Sequence, residues 1–460
     1  MGNALNVQVR TPAALLVLVL ALSAGCKDAG TGVSPPSGKP EPPPKPIAVK
    51  PFAMGQPDVV LLITGSNNGS MEICNCSESM PGGLSRRSGL VISYRNAFPH
   101  TLLIDSGDLF WIEPESHRNE FVLRGYRTIG YDAVTLADRE LGLASAHLGG
   151  LLATAPQPYL STTVSLAAPG KLPSVECVRR QWGDIKVAVV SRIDRKSFLF
   201  LGADKLKGLS FNEDRAAQIA AQFKQDGYVV VVVAHGDEES AAATAKLPWA
   251  DMVVRGHTEK PEQSIVRDGG APIVKVGGHD YVGAVALKIA GGKIVQTEYR
   301  LELVDESWPA DKRLLQTYQA YAHAEMRREL DMERKDGLVY LPSSDCGGCH
   351  EPQFAAWKSH PHGHAYATLV KAGRAGDPDC LMCHTSGFGT KHGFYTIRKT
   401  PKLANVNCQD CHRFSMKDHA TGSVQFAKPS EEICTTCHTP VTDPKFNYAE
   451  KVKHIHCKGK

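Results

Sequence analysis

Four copies of a Cys-x-x-Cys-His motif lie in the last quarter of this 460-residue chain, starting at Cys346, Cys380, Cys408 and Cys434. Two thiols at this spacing can add to the two vinyl groups of one porphyrin, and the adjacent imidazole then lies directly beneath the iron. A single copy would also suit zinc, because Cys and His build zinc sites. Four copies favour four covalently bound haem c groups over zinc or a disulfide framework.

The predicted attachment residues are the two cysteines and the histidine of each motif: Cys346, Cys349, His350, Cys380, Cys383, His384, Cys408, Cys411, His412, Cys434, Cys437 and His438. The same part of the chain contains further histidines: His360, His362, His364, His392, His419, His454 and His456. A second imidazole on the iron gives a low-spin site suited to electron transfer. We therefore predict bis-His haems in preference to ligation by Met382 or Met416.

Residues outside the motifs carry a family resemblance over about 341–460: Trp357, His362-Gly363-His364-Ala365, Leu369, Thr385, Gly387, His419, Phe446, Tyr448, Val452 and His454. They resemble those of the small tetrahaem bis-His cytochromes of the cytochrome c-554 type. The resemblance implies a small, mostly helical electron-transfer domain with His362, His364, His419 and His454 as distal ligands. His360 and His456 lie close enough in sequence to be alternatives.

The first residues have the pattern of an export signal. Arg10 precedes the apolar run 13–22, which ends at Ser23-Ala24-Gly25-Cys26. Such a run is too short to span a bilayer and is typical of a signal peptide. Its ending resembles a bacterial lipoprotein signal, which implies that residues 1–26 are processed and that Cys26 is lipidated. We expect a periplasmic or outer-membrane lipoprotein of a Gram-negative bacterium.

Residues 27–57 are rich in Pro, Gly, Ser and Lys and include Glu41-Pro42-Pro43-Pro44-Lys45-Pro46. This composition buries little apolar surface and predicts an extended tether. The net charge of +4 is small for a chain of this length and gives no case for nucleic-acid binding. The expected partners are other redox proteins, and the lipid anchor is the expected contact with the membrane.

Residues 58–305 are long enough for one α/β domain, and a helical linker, 306–340, precedes the haem domain at 341–460. Short apolar runs alternate with helical patterns: 58–64, 101–104, 131–136, 185–190, 228–234, 252–254 and 272–276. Two further runs, 284–289 and 294–303, flank Gly291-Gly292 and predict a hairpin. Together they predict a layered sandwich of mixed sheets.

Polar residues follow several of these strands, where α/β sites are usually built. They are 64–69, Asp105-Ser106-Gly107-Asp108, 137–140, Ala234-His235-Gly236 and 255–259. With Gly82-Gly83-Leu84 and Arg86, this series resembles the calcineurin-like metallophosphoesterases, nearest to their 5′-nucleotidase and UDP-sugar hydrolase branch. The likeness covers about 59–304 and implies an α/β/β/α sandwich.

Matched residue by residue, the resemblance places Asp108, Asp138, His235 and His257 on metal ligands of that family. One divalent-metal position is therefore complete. The family's phosphoester chemistry needs two metals that clamp the phosphate. At the second metal position, the stronger ligands of the family are replaced by Ser66, Asn68 and Glu259. Arg139 falls where the family has a catalytic histidine, and a guanidinium cannot act as a general acid.

Cys74 and Cys76 lie a few residues after Asn68. Two thiols so close can act as soft metal ligands at the weakened position or as a redox pair that supplies electrons to haem. A structural disulfide to Cys177 or Cys457 is the third possibility. The sequence thus predicts an exported tetrahaem cytochrome c with a degenerate metallophosphoesterase-like domain, whose enzymatic role is left open. The alternative is a metal-dependent hydrolase or thiol oxidoreductase coupled to the haems.

Overall fold

A computed structural model describes residues 41–73, 80–112, 117–143, 145–166, 172–202, 206–258, 260–267, 269–422, 429–440 and 442–455. The predictions made for the export signal, Cys26, Cys74, Cys76, Glu259 and His456 concern residues outside these ranges. Within the ranges, no helix combines the length and the apolar character needed to cross a bilayer.

The strands of the N-terminal domain are β1 (Val59–Thr64), β2 (Thr101–Asp105), β3 (Ala133–Thr135), β4 (Tyr159–Leu160), β5 (Val164–Leu166), β6 (Ser174–Val175), β7 (Val178–Trp182), β8 (Ile185–Ile193), β9 (Leu209–Phe211), β10 (Val229–His235), β11 (Met252–Gly256), β12 (Ile273–Lys275), β13 (Tyr281–Ala290) and β14 (Lys293–Leu303). The helices of this part of the chain are α1 (Leu84–Ala97), α2 (Arg118–Ile129), α3 (Asp138–Leu141), α4 (Ser145–Thr154), α5 (Asp214–Gln225), α6 (Glu238–Ala245) and α7 (Lys312–Asp331).

Two mixed sheets form the centre of this domain. One has the strand order β14-β13-β1-β2-β3-β4-β6, and the other has the order β12-β11-β10-β8-β7. Strands β1, β2 and β3 are parallel, as are β8, β10, β11 and β12, whereas β13 and β14 form the predicted antiparallel hairpin. Gly291 and Gly292 both have positive φ in its turn, a conformation that glycine adopts without steric cost.

Alternate residues of the strands face different layers. Leu61 and Ile63 of β1 pack with Val231 and Val233 of β10 between the two sheets. Leu62 of β1 faces the opposite way and packs against helices on the outer side. Because strands covered on both faces must be apolar throughout, the continuous valine run of β10 follows from this burial. The predicted α/β/β/α sandwich is confirmed.

The C-terminal domain consists of short helices: α8 (Ser343–Cys346), α9 (Glu351–Ser359), α10 (Ala365–Lys371), α11 (Pro378–His384), α12 (Cys408–Cys411), α13 (Met416–Ala420), α14 (Glu431–Thr435) and α15 (Tyr448–Lys451). Its apolar cluster includes Leu369, Leu381 and Phe394, together with Met326 of α7. The long helix α7 therefore belongs to the cores of both domains, because its Tyr318 packs in the N-terminal core.

The end of the predicted tether differs from an extended spacer. The Ile47 backbone N–H donates to Ser93 Oγ at 3.1 Å, and Phe52 is buried. The Arg300 guanidinium lies 4.1 Å from the centre of the Phe52 ring and donates to the Lys50 carbonyl. The buried Phe52 ring and these backbone hydrogen bonds thus hold the end of the predicted tether against the N-terminal domain despite its polar composition.

Candidate functional site

Polar residues of four strand ends meet at one edge of the two sheets. Asp108 and Asp138 follow β2 and β3, His235 ends β10, and His257 follows β11. One ligand atom from each of these four residues lies within 4.8 Å of all the others. The sequence-predicted metal ligands therefore converge, as the carboxyl ends of neighbouring parallel strands allow.

The four side chains already contact one another. His235 Nε2 lies 2.8 Å from Asp138 Oδ1, and His257 Nδ1 lies 3.1 Å from Asp108 Oδ2. His235 Nδ1 donates to the Ser106 carbonyl at 2.8 Å. This hydrogen bond orients the imidazole with Nε2 toward the carboxylates, which is how outer partners usually fix a metal-binding histidine.

One observation in particular fits a cation. Asp108 Oδ1 is buried and has no hydrogen-bond partner among the described residues, although Arg139 Nε and His235 Nε2 lie 3.6 and 3.7 Å away. Asp108 and His257 also hold φ angles of 57° and 56°, a strained left-handed conformation for residues other than glycine. Two carboxylates and two imidazoles suit a divalent transition metal, so these residues fit such an ion.

The electrostatics of the cluster favour the charged form of the Asp108 carboxylate. Burial opposes ionisation of Asp108, but hydrogen bonding from His257 and the charges of His235 and Arg139 hold its pKa below the usual value. Burial also opposes protonation of His235, yet contact with Asp138 and Asp108 raises its pKa to about 9. Because a metal binds neutral imidazole, metal binding would release this proton.

Ser66 and Asn68, which the sequence resemblance assigns to a second metal position, lie close to the cluster. Ser66 and Asn68 donate their backbone N–H groups to Gly107 and Asp108 carbonyls, both at 2.9 Å, which places them beside Asp108. Asn68 Oδ1 is buried without a hydrogen-bond partner among the described residues. Arg139 contributes a cation on the same side. At a metal position, the amide oxygen of Asn68 would be a weaker ligand than an imidazole.

A buried polar network behind the cluster includes a residue that the sequence did not single out. Arg87 is 1% exposed and donates to Asn67 Oδ1 at 3.0 Å and to the hydroxyls of Tyr126 and Tyr131 at 3.1 and 3.2 Å. The Tyr126 hydroxyl in turn donates to buried Asp105 at 3.0 Å. The family resemblance includes the neighbouring Arg86 instead, which donates to the Met80 carbonyl at 2.8 Å.

Glu140 is a second supporting residue. Its carboxylate accepts hydrogen bonds from the backbone N–H groups of Leu109, Phe110 and Ala137 at 2.8, 3.0 and 2.9 Å. Burial, with repulsion from Asp108, raises the pKa of Glu140 to about 7. The residue connects the loop after β2 to the start of α3, and so fixes Asp108 relative to Asp138.

We predict that Arg87→Met destabilises the N-terminal domain by about 3 kcal/mol, because it leaves buried Asp105 and its hydrogen-bond partners without a cation. The change is measured as the shift in free energy of unfolding in urea. Arg95→Met is the matched control on the same helix: Arg95 pairs with Asp132 at a partly exposed site and should cost less than about 1 kcal/mol. Equal losses in the two variants would contradict the prediction.

In the C-terminal domain, the thiols of different Cys-x-x-Cys-His motifs lie side by side. The neighbouring Cys408 of the third motif raises the pKa of Cys346 of the first, and the neighbouring Cys437 of the fourth raises the pKa of Cys383 of the second. These thiols are the groups that would carry thioether bonds to haem. The motifs are thus arranged as two neighbouring pairs.

Two motif histidines are oriented as iron ligands would be. His384 Nδ1 donates to the Ala365 carbonyl at 2.7 Å, and His438 Nδ1 donates to Asp443 Oδ2 at 2.9 Å. Each bond places the ring proton on Nδ1 and leaves Nε2 available, the usual arrangement of a ligating imidazole and its outer partner. These contacts fit haem.

Two pairs of histidines, each with one motif histidine, have a spacing that suits two ligands of the same iron. The ring centres of His350 and His419 are 5.9 Å apart, and those of His362 and His438 are 6.2 Å apart. Two imidazoles on opposite sides of one metal, each bound at about 2 Å, have ring centres roughly 6 Å apart. Burial, followed by repulsion from neighbouring histidines, lowers the pKa of His362 to about 4, which keeps its imidazole neutral.

The other two predicted distal ligands are placed differently. His364 and His454 are exposed, and within the described ranges neither has an imidazole as a ring partner. His360 packs against His362 with ring centres 4.8 Å apart. Of the predicted distal set, only His362 and His419 have a ring contact with a motif histidine in the described part of the chain.

Residues 345–413 match the family described as cytochrome c554 and c-prime. Cytochrome c-554 of Nitrosomonas europaea is 27% identical over 165 residues, an alignment that covers 24% of this chain and 70% of that protein. These matches confirm the predicted cytochrome c segment.

The N-terminal domain is similar to solved structures of another kind. The Thermus thermophilus sulfate thiohydrolase SoxB, solved with glycerol, aligns with a TM-score of 0.52 at 16% identity, over 68% of both chains. A 5′-nucleotidase precursor from the same species aligns with a TM-score of 0.51 at 17% identity, over 75% of this chain and 73% of that one. At these identities the likeness shows the fold alone. The chain thus joins a metallophosphoesterase-like fold to a cytochrome c segment.

Proposed function

We propose that this chain is an exported tetrahaem cytochrome c that transfers electrons, with an N-terminal domain that retains one divalent-metal position. The observation that carries the proposal is the distance between ring centres in two pairs of a motif histidine and another histidine, 5.9 Å for His350 with His419 and 6.2 Å for His438 with His362. Such pairs favour bis-His iron, which exchanges electrons without binding a substrate.

The protein's residues would act by holding the haems rigidly. Bound haem c supplies one-electron chemistry. Ala365 and Asp443 orient His384 and His438 through their Nδ1 atoms, which limits ligand movement when the iron changes charge. Cys346 beside Cys408 and Cys383 beside Cys437 would hold haem groups in two neighbouring pairs, an arrangement that suits electron transfer between them.

Export and membrane attachment through Cys26 belong to the same proposal. The apolar run that ends in Ser23-Ala24-Gly25-Cys26 supports them, as does the need to attach haem c outside the inner membrane. Other exported redox proteins are the expected partners, and the direction of electron flow depends on their potentials.

The proposal is tested by the absorption spectrum of the purified protein before and after dithionite. We expect the reduced protein to show the sharp α-band of low-spin haem c, and a pyridine haemochrome assay to give four haems per chain. A spectrum that dithionite leaves unchanged would contradict electron transfer by this domain.

Metal-dependent hydrolysis is the second candidate, and the intact cluster of Asp108, Asp138, His235 and His257 favours it. Those residues would hold the ion, which would act as a Lewis acid toward an oxyanion, and Arg139 could bind the same oxyanion. The fold neighbours include a nucleotidase and a sulfate thiohydrolase, which suggests phosphate or sulfate esters as substrates to assay.

A further inference from the structure

The N-terminal domain contacts the second haem motif through a charged side chain. Arg118, the first residue of α2, donates from Nη2 to Asp379 Oδ2 at 2.5 Å and to the Tyr321 hydroxyl at 2.9 Å. Asp379 directly precedes Cys380 in the helix that carries the second motif. A cation of one domain therefore pairs with an anion beside the predicted haem attachment of the other.

A second contact holds the start of that helix. The Tyr318 hydroxyl donates to Asp377, which is 1% exposed. Asp377 Oδ1 accepts from the Asp379 backbone N–H at 3.1 Å and so caps α11. The Arg374 guanidinium lies 4.6 Å from the centre of the Tyr318 ring. Tyr318 thereby fixes the helix end on which Asp379 and Cys380 lie.

Arg118 is also connected to the candidate metal cluster. Its guanidinium lies 5.0 Å from the centre of the Trp111 ring, three residues after Asp108. The neighbouring Asn119 accepts from the Trp111 N–H at 2.7 Å and donates to the Trp111 carbonyl at 3.1 Å. One short segment thus joins the loop of Asp108 to the helix of the second motif.

We propose that Arg118 sets the reduction potential of the haem bound at Cys380 and Cys383, through a positive charge that opposes the negative charge of Asp379. This rests on the proposed haem attachment. The oxidised iron carries one more positive charge than the reduced iron, so a nearby guanidinium favours reduction and a nearby carboxylate favours oxidation. Arg118 is half-buried and Asp379 is exposed, and their contact keeps the two opposing charges next to each other beside the second motif.

The test is a spectroelectrochemical titration of the full haem-loaded chain and its variants. Arg118→Met should lower one of the haem midpoint potentials, and Asp379→Asn should raise the same one. The double variant R118M/D379N should return that potential close to the unmodified value, because it removes both charges. Arg124→Met, on the same helix and paired with Glu120, is the control and should move none of them.

Loss of a charge should shift the potential in opposite directions in the two single variants. Loosened packing would shift it in the same direction in both variants, because each variant breaks the same contact. Shifts of the same sign, or no shift in either variant, would overturn the proposal. A chain without covalent haem would instead contradict the proposed function, so the two failures are distinguishable.

Discussion

Replacing His419 with alanine is expected to convert one haem from low-spin to high-spin while the other haems keep their spectra. The His419 ring centre lies 5.9 Å from that of His350, the histidine of the first motif, so its removal opens the sixth position of that iron. Electron paramagnetic resonance of the oxidised protein should show one new high-spin signal, and the haem content should be unchanged. His362→Ala should do the same to the haem of the fourth motif.

His392→Ala is the matched control for this prediction. His392 lies in the same domain and is exposed, so its loss should leave every haem low-spin. If both His419→Ala and His362→Ala kept fully low-spin spectra, the pairing seen in the structure would be wrong, and His360 or His456 would become the ligands to examine.

Replacing Asp108 with alanine is expected to weaken binding of a divalent metal to the N-terminal domain by about 100-fold or more. Loss of an outer partner of a ligand usually costs about 10–100-fold, and Asp108 supplies carboxylate oxygens directly to the cluster. Calorimetric titration of the haem-loaded chain with manganese, zinc or cobalt measures the change. Asp184→Ala, at an exposed turn between β7 and β8, should leave affinity unchanged.

The same domain is expected to lack ordinary two-metal phosphatase activity. Ser66 and Asn68 provide only neutral oxygens at the second position, and Arg139 cannot protonate a leaving group at neutral pH. Assays with nucleotides, UDP-sugars, an aryl phosphate and a sulfate ester under added metal measure this. Turnover near the common enzymatic value of ~10 per second, abolished by Asp108→Ala, would show a working hydrolase.

The layered fold of the N-terminal domain follows closely from sequence, because strands buried on both faces must be continuous apolar runs. The run 228–234 predicts β10, and the residues after each run identify the edge at which Asp108, Asp138, His235 and His257 meet. Periodicity alone cannot show that Phe52 would hold residues 47–57 against the sheet. That outcome depends on contacts with residues distant in sequence, such as Arg300 on the Phe52 ring and Ser93 at the Ile47 backbone.

The supporting residues of the site could not be predicted in the same way. Arg86 and Arg87 are adjacent and chemically identical, and only packing of α1 decides that Arg87 is the buried one. In the C-terminal domain the motifs identify their own cysteines and histidines, but His350 and His419 are far apart in sequence. Their approach depends on how short helices pack, for which no local pattern exists.

The mass of the purified, denatured protein tests the central proposal most directly, since thioether-bound haem survives denaturation. We predict a mass equal to the processed polypeptide plus four haem groups, one for each Cys-x-x-Cys-His motif, and Cys380→Ser with Cys383→Ser should remove one of them. A polypeptide mass without covalent haem, or one with a number of haems other than four, would contradict the proposal that this chain is a tetrahaem cytochrome.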